Sequence, residues 1–141
     1  MTALAAALLA AAVAVAGPTP AERDALRDAK RHWREQRARD YTYLIERSCF
    51  CPPEGPVRVR VVNRRPRKTP EGYDSVDTGR ELFAQAASAL RSEGEHTVRY
   101  RPRLGLPKLI AADPIVNAAD EEYSYRITGL RITRRYPPNG G

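Results

Sequence analysis

Apolar residues recur first at helical spacing and then at strand spacing, and a second helical stretch followed by strands comes later in the chain, with no convincing internal repeat. Ala21, Ala25, Leu26, Ala29 and Trp33 fall on one arc of a helix whose other positions are mostly charged. Thr19 fits as the N-cap, Pro20 suits the first turn and Glu22 completes a capping box, so the helix is expected to begin there. It should end near Arg39-Asp40. The thin stripe suits a helix lying on a sheet and anchored by Trp33.

The period then switches to two. Tyr41, Tyr43 and Ile45 alternate with Thr42, Leu44 and Glu46, which predicts a strand running into Cys49-Phe50-Cys51. Pro52-Pro53-Glu54-Gly55-Pro56 breaks it with a turn. Val57, Val59 and Val61 alternate with Arg58 and Arg60, a second strand with one buried and one solvated face, and the pair is expected to form a hairpin. Residues 64–75 are polar and carry Pro66, Pro70 and Gly72; a mobile loop is expected there, with a short edge strand as the alternative.

A second capping box, Thr78-Gly79-Arg80-Glu81, opens the clearest amphipathic helix. Leu82, Phe83, Ala86, Ala87 and Leu90 share one of its faces and Gly94 stands where a C-terminal cap belongs. Three strands follow. The first places Val98 and Tyr100 opposite Arg99 and Arg101, Gly105-Leu106-Pro107 turns the chain, and Lys108 to Ala112 is short and apolar. After a loop from Asp113 to Asp120, Tyr123, Tyr125 and Ile127 alternate with Ser124, Arg126 and Thr128. The phase slips at Gly129 before Leu130 and Ile132 take over, which suggests a β-bulge. The expected fold is α+β in two layers: an antiparallel sheet of four to five strands with both helices on one face, in the order α-β-β-α-β-β-β. Residues 17–135 would form this single domain, with a disordered tail over 136–141.

The first sixteen residues stand apart. Leu4 to Val15 is almost entirely Ala, Leu and Val, too short for a membrane-spanning helix, which needs about 20 residues. Ala14-Val15-Ala16 is an A-x-A cleavage signature followed by Gly17-Pro18. The segment reads as a signal peptide cleaved near Ala16, and the mature chain as secreted or periplasmic with no transmembrane segment. All 24 basic and 17 acidic side chains lie beyond it, so the mature domain keeps the net charge of +7. Nearly all the cations are Arg, which makes bidentate contacts with phosphate and carboxylate. Outside the cytoplasm such a domain would meet an anionic envelope component or an acidic protein; nucleic acid is disfavoured by the compartment.

Trp33, Tyr41-x-Tyr43, Cys49-Phe50-Cys51, Leu82-Phe83, Tyr100, Gly105-Leu106-Pro107, Asp113 and Asp120-Glu121 come in that order. The ordered set resembles a domain-of-unknown-function family of bacterial secreted proteins and lipoproteins, over roughly Trp33 to Ile132. The resemblance implies export and a small α+β domain, and no activity. This chain departs in having Leu106 between the Gly and Pro and in lacking a lipid-accepting Cys after the apolar run.

Few residues suggest chemistry. Cys49 and Cys51 are the only cysteines. Along an extended strand their Cα atoms would lie about 6.6 Å apart, at the edge of the roughly 4.4–6.8 Å that a disulfide spans, so closure calls for a bend before Pro52. A hairpin staple, a redox-active or partner-linked pair, and reduced thiols are the competing readings. Asp113, Asn117, Asp120, Glu121 and Glu122 form an acidic loop whose oxygens, chiefly those of Asp113, Asp120 and Glu121, could take a cation, but the spacing matches no calcium loop and the plainer reading is that Asp and Asn set the turn geometry. Arg58, Arg60, Arg99, Arg101, Arg126 and Arg131 occupy polar strand phases and would form a cationic face, able to bind a polyanion, if their strands are neighbours; the simpler reading, which the sequence favours, is a solvated outer face balanced by nearby acids. Trp33, Tyr41, Tyr43 and Phe83 are expected to be structural anchors. No Ser-His-Asp set, phosphate loop or zinc spacing is readable, so no catalytic residue and no cofactor is expected. The sequence thus points to a non-catalytic binding or structural module, with a thiol-disulfide or oxidative-stress role through Cys49 and Cys51 as the alternative.

Overall fold

The computed structural model describes residues 17–49, 51–52, 54–114 and 122–138. The expected signal segment lies outside them. Two helices, α1 (Pro20–Glu35) and α2 (Gly79–Leu90), accompany six strands: β1 (Ala38–Cys49), β2 (Val57–Val62), β3 (Arg65–Arg67), β4 (His96–Tyr100), β5 (Pro107–Ala112) and β6 (Tyr123–Arg135). The strands form one antiparallel sheet in the order β3-β2-β1-β6-β5-β4. The class is α+β, as the periodicity predicts, with more strands than expected. No helix among the described residues is long and apolar enough to cross a membrane.

The extra strand is β3, in the segment expected to be a loop. Asn63 and Arg64 both adopt positive φ, 53° and 61°, the backbone of a two-residue hairpin turn. The Asn63 N–H donates to Asp40 Oδ1 at 2.8 Å, which holds the turn against β1. Pro66 is tolerated in β3 because this strand is the sheet edge, where a missing N–H faces no partner.

Helix α1 begins as expected. Thr19 Oγ1 accepts from the Glu22 N–H at 3.1 Å and Glu22 Oε1 accepts from the Thr19 N–H at 3.0 Å. It ends at Glu35, short of Arg39, because Arg37 turns left-handed (φ 48°) and β1 starts at Ala38. The expected tail is anchored at its first residue: the Tyr136 N–H donates to the Arg37 carbonyl, and its hydroxyl donates to Asn63 Oδ1.

The core lies between one sheet face and the helices. Tyr41, Tyr43 and Ile45 of β1, Val59 and Val61 of β2, Ile110 of β5 and Ile127 of β6 meet Leu82, Phe83, Ala86 and Ala89 of α2. Trp33 stands edge-on to Tyr41 with ring centroids 5.1 Å apart, placing α1 on the same face. The Tyr41 hydroxyl accepts from the Gly79 N–H at 2.8 Å, at the start of α2. The Tyr43 hydroxyl donates to the Val76 carbonyl at 2.5 Å, and burial raises its pKa above the ordinary phenol value. Each ring thereby joins the sheet to the segment that launches α2 and satisfies its own polar tip.

Two glycines shape the site. Gly105 (φ +83°) precedes β5, and a Cβ there would run into the Ala29 carbonyl, His32 Cβ and the Trp33 amide of α1. Its bare backbone lets α1 settle against the β4–β5 turn. Gly129 (φ +62°) sits where the β1–β6 register slips between Thr42 and Leu44, the expected bulge. The bulge restores the apolar phase, so Ile127 and Ile132 pair with Ile45 and Tyr41 on the same face.

Candidate functional site

Because α1 and α2 cover one face, the polar phase of every strand lies on the other. The register then decides which side chains meet there. Across β2, β1 and β6, Thr42 lies between Arg60 and Arg131, Leu44 between Arg58 and Thr128, and Glu46 beside Arg126. Farther along the sheet, Arg126 pairs with Leu109 and Leu109 with Arg99. Five of the six arginines expected on an outer face, Arg58, Arg60, Arg99, Arg126 and Arg131, are therefore on this one and exposed.

Arg101 is the exception. The β4–β5 register shifts between Arg99 and Tyr100, and the Arg101 guanidinium donates to the Ile127 carbonyl at 3.4 Å. Half-buried and committed to backbone, it does not join the others. In its place comes Arg67, which pairs with Arg60 from β3, in the segment where the sequence predicts a loop.

Off this face some arginines are engaged and others, Arg34, Arg80, Arg91 and Arg103 among the described residues, are not. Arg47 lies over the Tyr73 ring at 4.9 Å and faces Glu54 at 3.6 Å; Arg64 covers the Tyr136 ring; Arg37 and Arg135 donate to the Tyr136 and Gln36 carbonyls. Among the described residues, none of Arg58, Arg60, Arg99, Arg126 and Arg131 makes an ion pair, a side-chain hydrogen bond or a cation–π contact. Glu46 lies opposite Arg126 without reaching ion-pair distance. Each free guanidinium offers a planar fork of donors that fits phosphate, sulfate or carboxylate.

A family profile of unknown function, DUF6174, matches residues 25–132. The chain belongs to DUF6174. No curated protein and no solved structure matches it. The match takes in β1 to β5 and β6 up to Ile132, so every arginine of the open face belongs to the DUF6174 domain.

The remaining candidates fall elsewhere in this DUF6174 domain. Cys49 and Cys51 are joined as a disulfide with Cα atoms 5.1 Å apart; the chain bends as it leaves β1, which supplies the required closure. A cavity of about 480 Å³ opens beside Cys49 at the sheet end, bordered by Ser48, His96, Asp113, Glu122 and Tyr123. His96 Nε2 meets Glu22 Oε2 at 2.5 Å, tying β4 to α1. The Thr19 backbone N–H, with help from His96 and against the cost of burial, holds the Glu22 carboxyl below its ordinary value. Asp113 pairs its backbone with Gly94 and Glu95; Asp120 and Glu121 lie outside the described residues. Among the described residues no three His, Cys, Asp or Glu side chains gather as a metal site. Trp33, Tyr41 and Tyr43 stand in the helix–sheet layer, and Phe83 stacks on Tyr100, whose hydroxyl burial pushes up to about 12.

Proposed function

We propose that this DUF6174 protein is an exported, non-catalytic binding domain whose open sheet face docks an anionic envelope component or acidic protein. The reading is carried by one observation: five exposed arginines from three strands share one sheet face, and none is tied by a described neighbour to a carbonyl, ring or carboxylate. A structural role would be expected to show such ties; their absence leaves the charge available to a partner. Export rests on the apolar run from Leu4 to Val15 and the A-x-A site at Ala16. The Cys49–Cys51 disulfide fits this reading as a staple on the end of β1, where Cys49 pairs with Tyr123 of β6. So short a loop removes little unfolded-chain entropy, so the bond shapes the strand end more than it stabilises the domain.

Salt tests the electrostatic core of the proposal. Binding of the protein to a heparin fragment should weaken as salt rises, with a log–log slope of about −3, as expected for four or five cations each releasing most of a counterion. Binding that is absent at low salt, or insensitive to salt, would contradict it.

A further inference from the structure

The arginines are not scattered over the open face; the register sorts them into files. Arg58 and Arg60 stand on β2, and Arg126 and Arg131 on β6, with β1 between. Neighbouring strands lie about 4.8 Å apart, so the two files run about 10 Å from each other. Between them β1 presents only Thr42 and Leu44, half-buried, with Glu46 at one end. Long cationic side chains therefore rise on both sides of a floor of short ones. The channel is most cationic at Thr42, which has Arg60 on one side and Arg131 on the other. Within the β2 file the arginines are two residues apart, about 6.8 Å.

We infer that a single linear polyanion lies lengthwise in this channel along β1, its negative groups taken from both sides by the β2 and β6 arginine files. This rests on the proposed anion-binding role of the face and specifies its occupant. Width argues for one chain: a strip about 10 Å across seats one polymer backbone, with phosphate, sulfate or carboxylate groups pointing to either wall. Sheet twist argues against a flat anionic surface. Successive strands rotate by roughly 20–25°, so a planar bilayer would touch a few guanidinium tips and leave the floor empty, whereas a flexible chain can follow the twist. The arrangement is that of a positively charged groove tracking a polymer backbone.

The test compares a fluorescent heparin fragment with phosphatidylglycerol vesicles as probes of the full chain. Two variants each remove one wall: Arg58→Ala with Arg60→Ala, and Arg126→Ala with Arg131→Ala. A third, Leu44→Trp, fills the floor without changing charge; Leu44 is only half-buried and tryptophan is accepted in strands. Each wall variant should weaken fragment binding about 30-fold, and each should do so alone. Leu44→Trp should weaken it about tenfold while vesicle binding is unchanged, with unaltered circular dichroism showing that the fold is kept. If one wall proves dispensable, or Leu44→Trp has no effect on the fragment, the lengthwise seat is overturned although the anionic partner stands. Vesicles binding more tightly than the fragment would overturn it in favour of a membrane surface. Failure of the wild type to bind either probe would remove the broader reading as well.

Discussion

Replacing Arg58, Arg60, Arg99, Arg126 and Arg131 together by alanine is expected to weaken binding to a heparin fragment by about a thousandfold at low salt, with little change in folding stability. A basic side chain close to an anionic surface contributes about 1 kcal/mol, and five of them, with some loss to non-additivity, come to roughly three orders of magnitude. The salt slope should flatten by nearly one unit for each true contact removed. Stability should hold because the five side chains are exposed and make no side-chain hydrogen bond, ion pair or cation–π contact with a described residue; surface substitutions of that kind usually stay within about 0.5 kcal/mol. Fluorescence anisotropy against salt concentration, alongside thermal unfolding, reads both quantities. A loss of less than tenfold would place the anion site on another surface.

The largest effect on stability is expected at Gly105. Gly105→Ala should destabilise the domain by about 3 kcal/mol: roughly 1–2 kcal/mol for a Cβ in a left-handed backbone, and a further 1–3 kcal/mol for crowding in a packed interior. The crowding here is severe because the obstacles are backbone atoms of α1, the Ala29 carbonyl and the Trp33 amide, which cannot rotate away as a side chain would. The melting temperature should fall by about 10–15 °C for a domain of this size. Gly55→Ala is the control, since nothing lies within 4 Å of a Cβ there and its φ is not positive; it should be near neutral. A loss below about 1 kcal/mol for Gly105→Ala would mean that α1 is not held against the β4–β5 turn.

Much of this layout is legible in the residues. The capping box of α1, the Thr78 N-cap of α2, the face of α2 carrying Leu82, Phe83, Ala86 and Leu90, and the bulge at Gly129 follow from local chemistry, and the structure contains each; the reciprocal Glu81 half of the second box is not formed. What escapes are turns made without glycine. Arg37, Asn63 and Arg64 adopt left-handed backbones that their identities do not announce, and they end α1 early and create β3. Alternation also sorts side chains within a strand without naming its neighbours. That β6 returns to lie between β1 and β5 is a long-range pairing, driven by Ile127 and Ile132 meeting Ile45 and Tyr41. It alone brings Arg126 and Arg131 level with Arg58 and Arg60. Arg101 falls off the open face for a related reason: β4 ends at Tyr100, just after its register shifts against β5, so strand alternation no longer governs Arg101.

The most direct test is a nuclear magnetic resonance titration of the isotopically labelled protein with a heparin fragment, following backbone amides and arginine Nε–Hε groups. Shifts should concentrate on Thr42, Leu44, Arg58, Arg60, Arg126 and Arg131, with α1 and α2 quiet. Shifts confined to the helices, or to the cavity beside Cys49 and His96, would contradict the claim that the open sheet face is where this domain meets its partner.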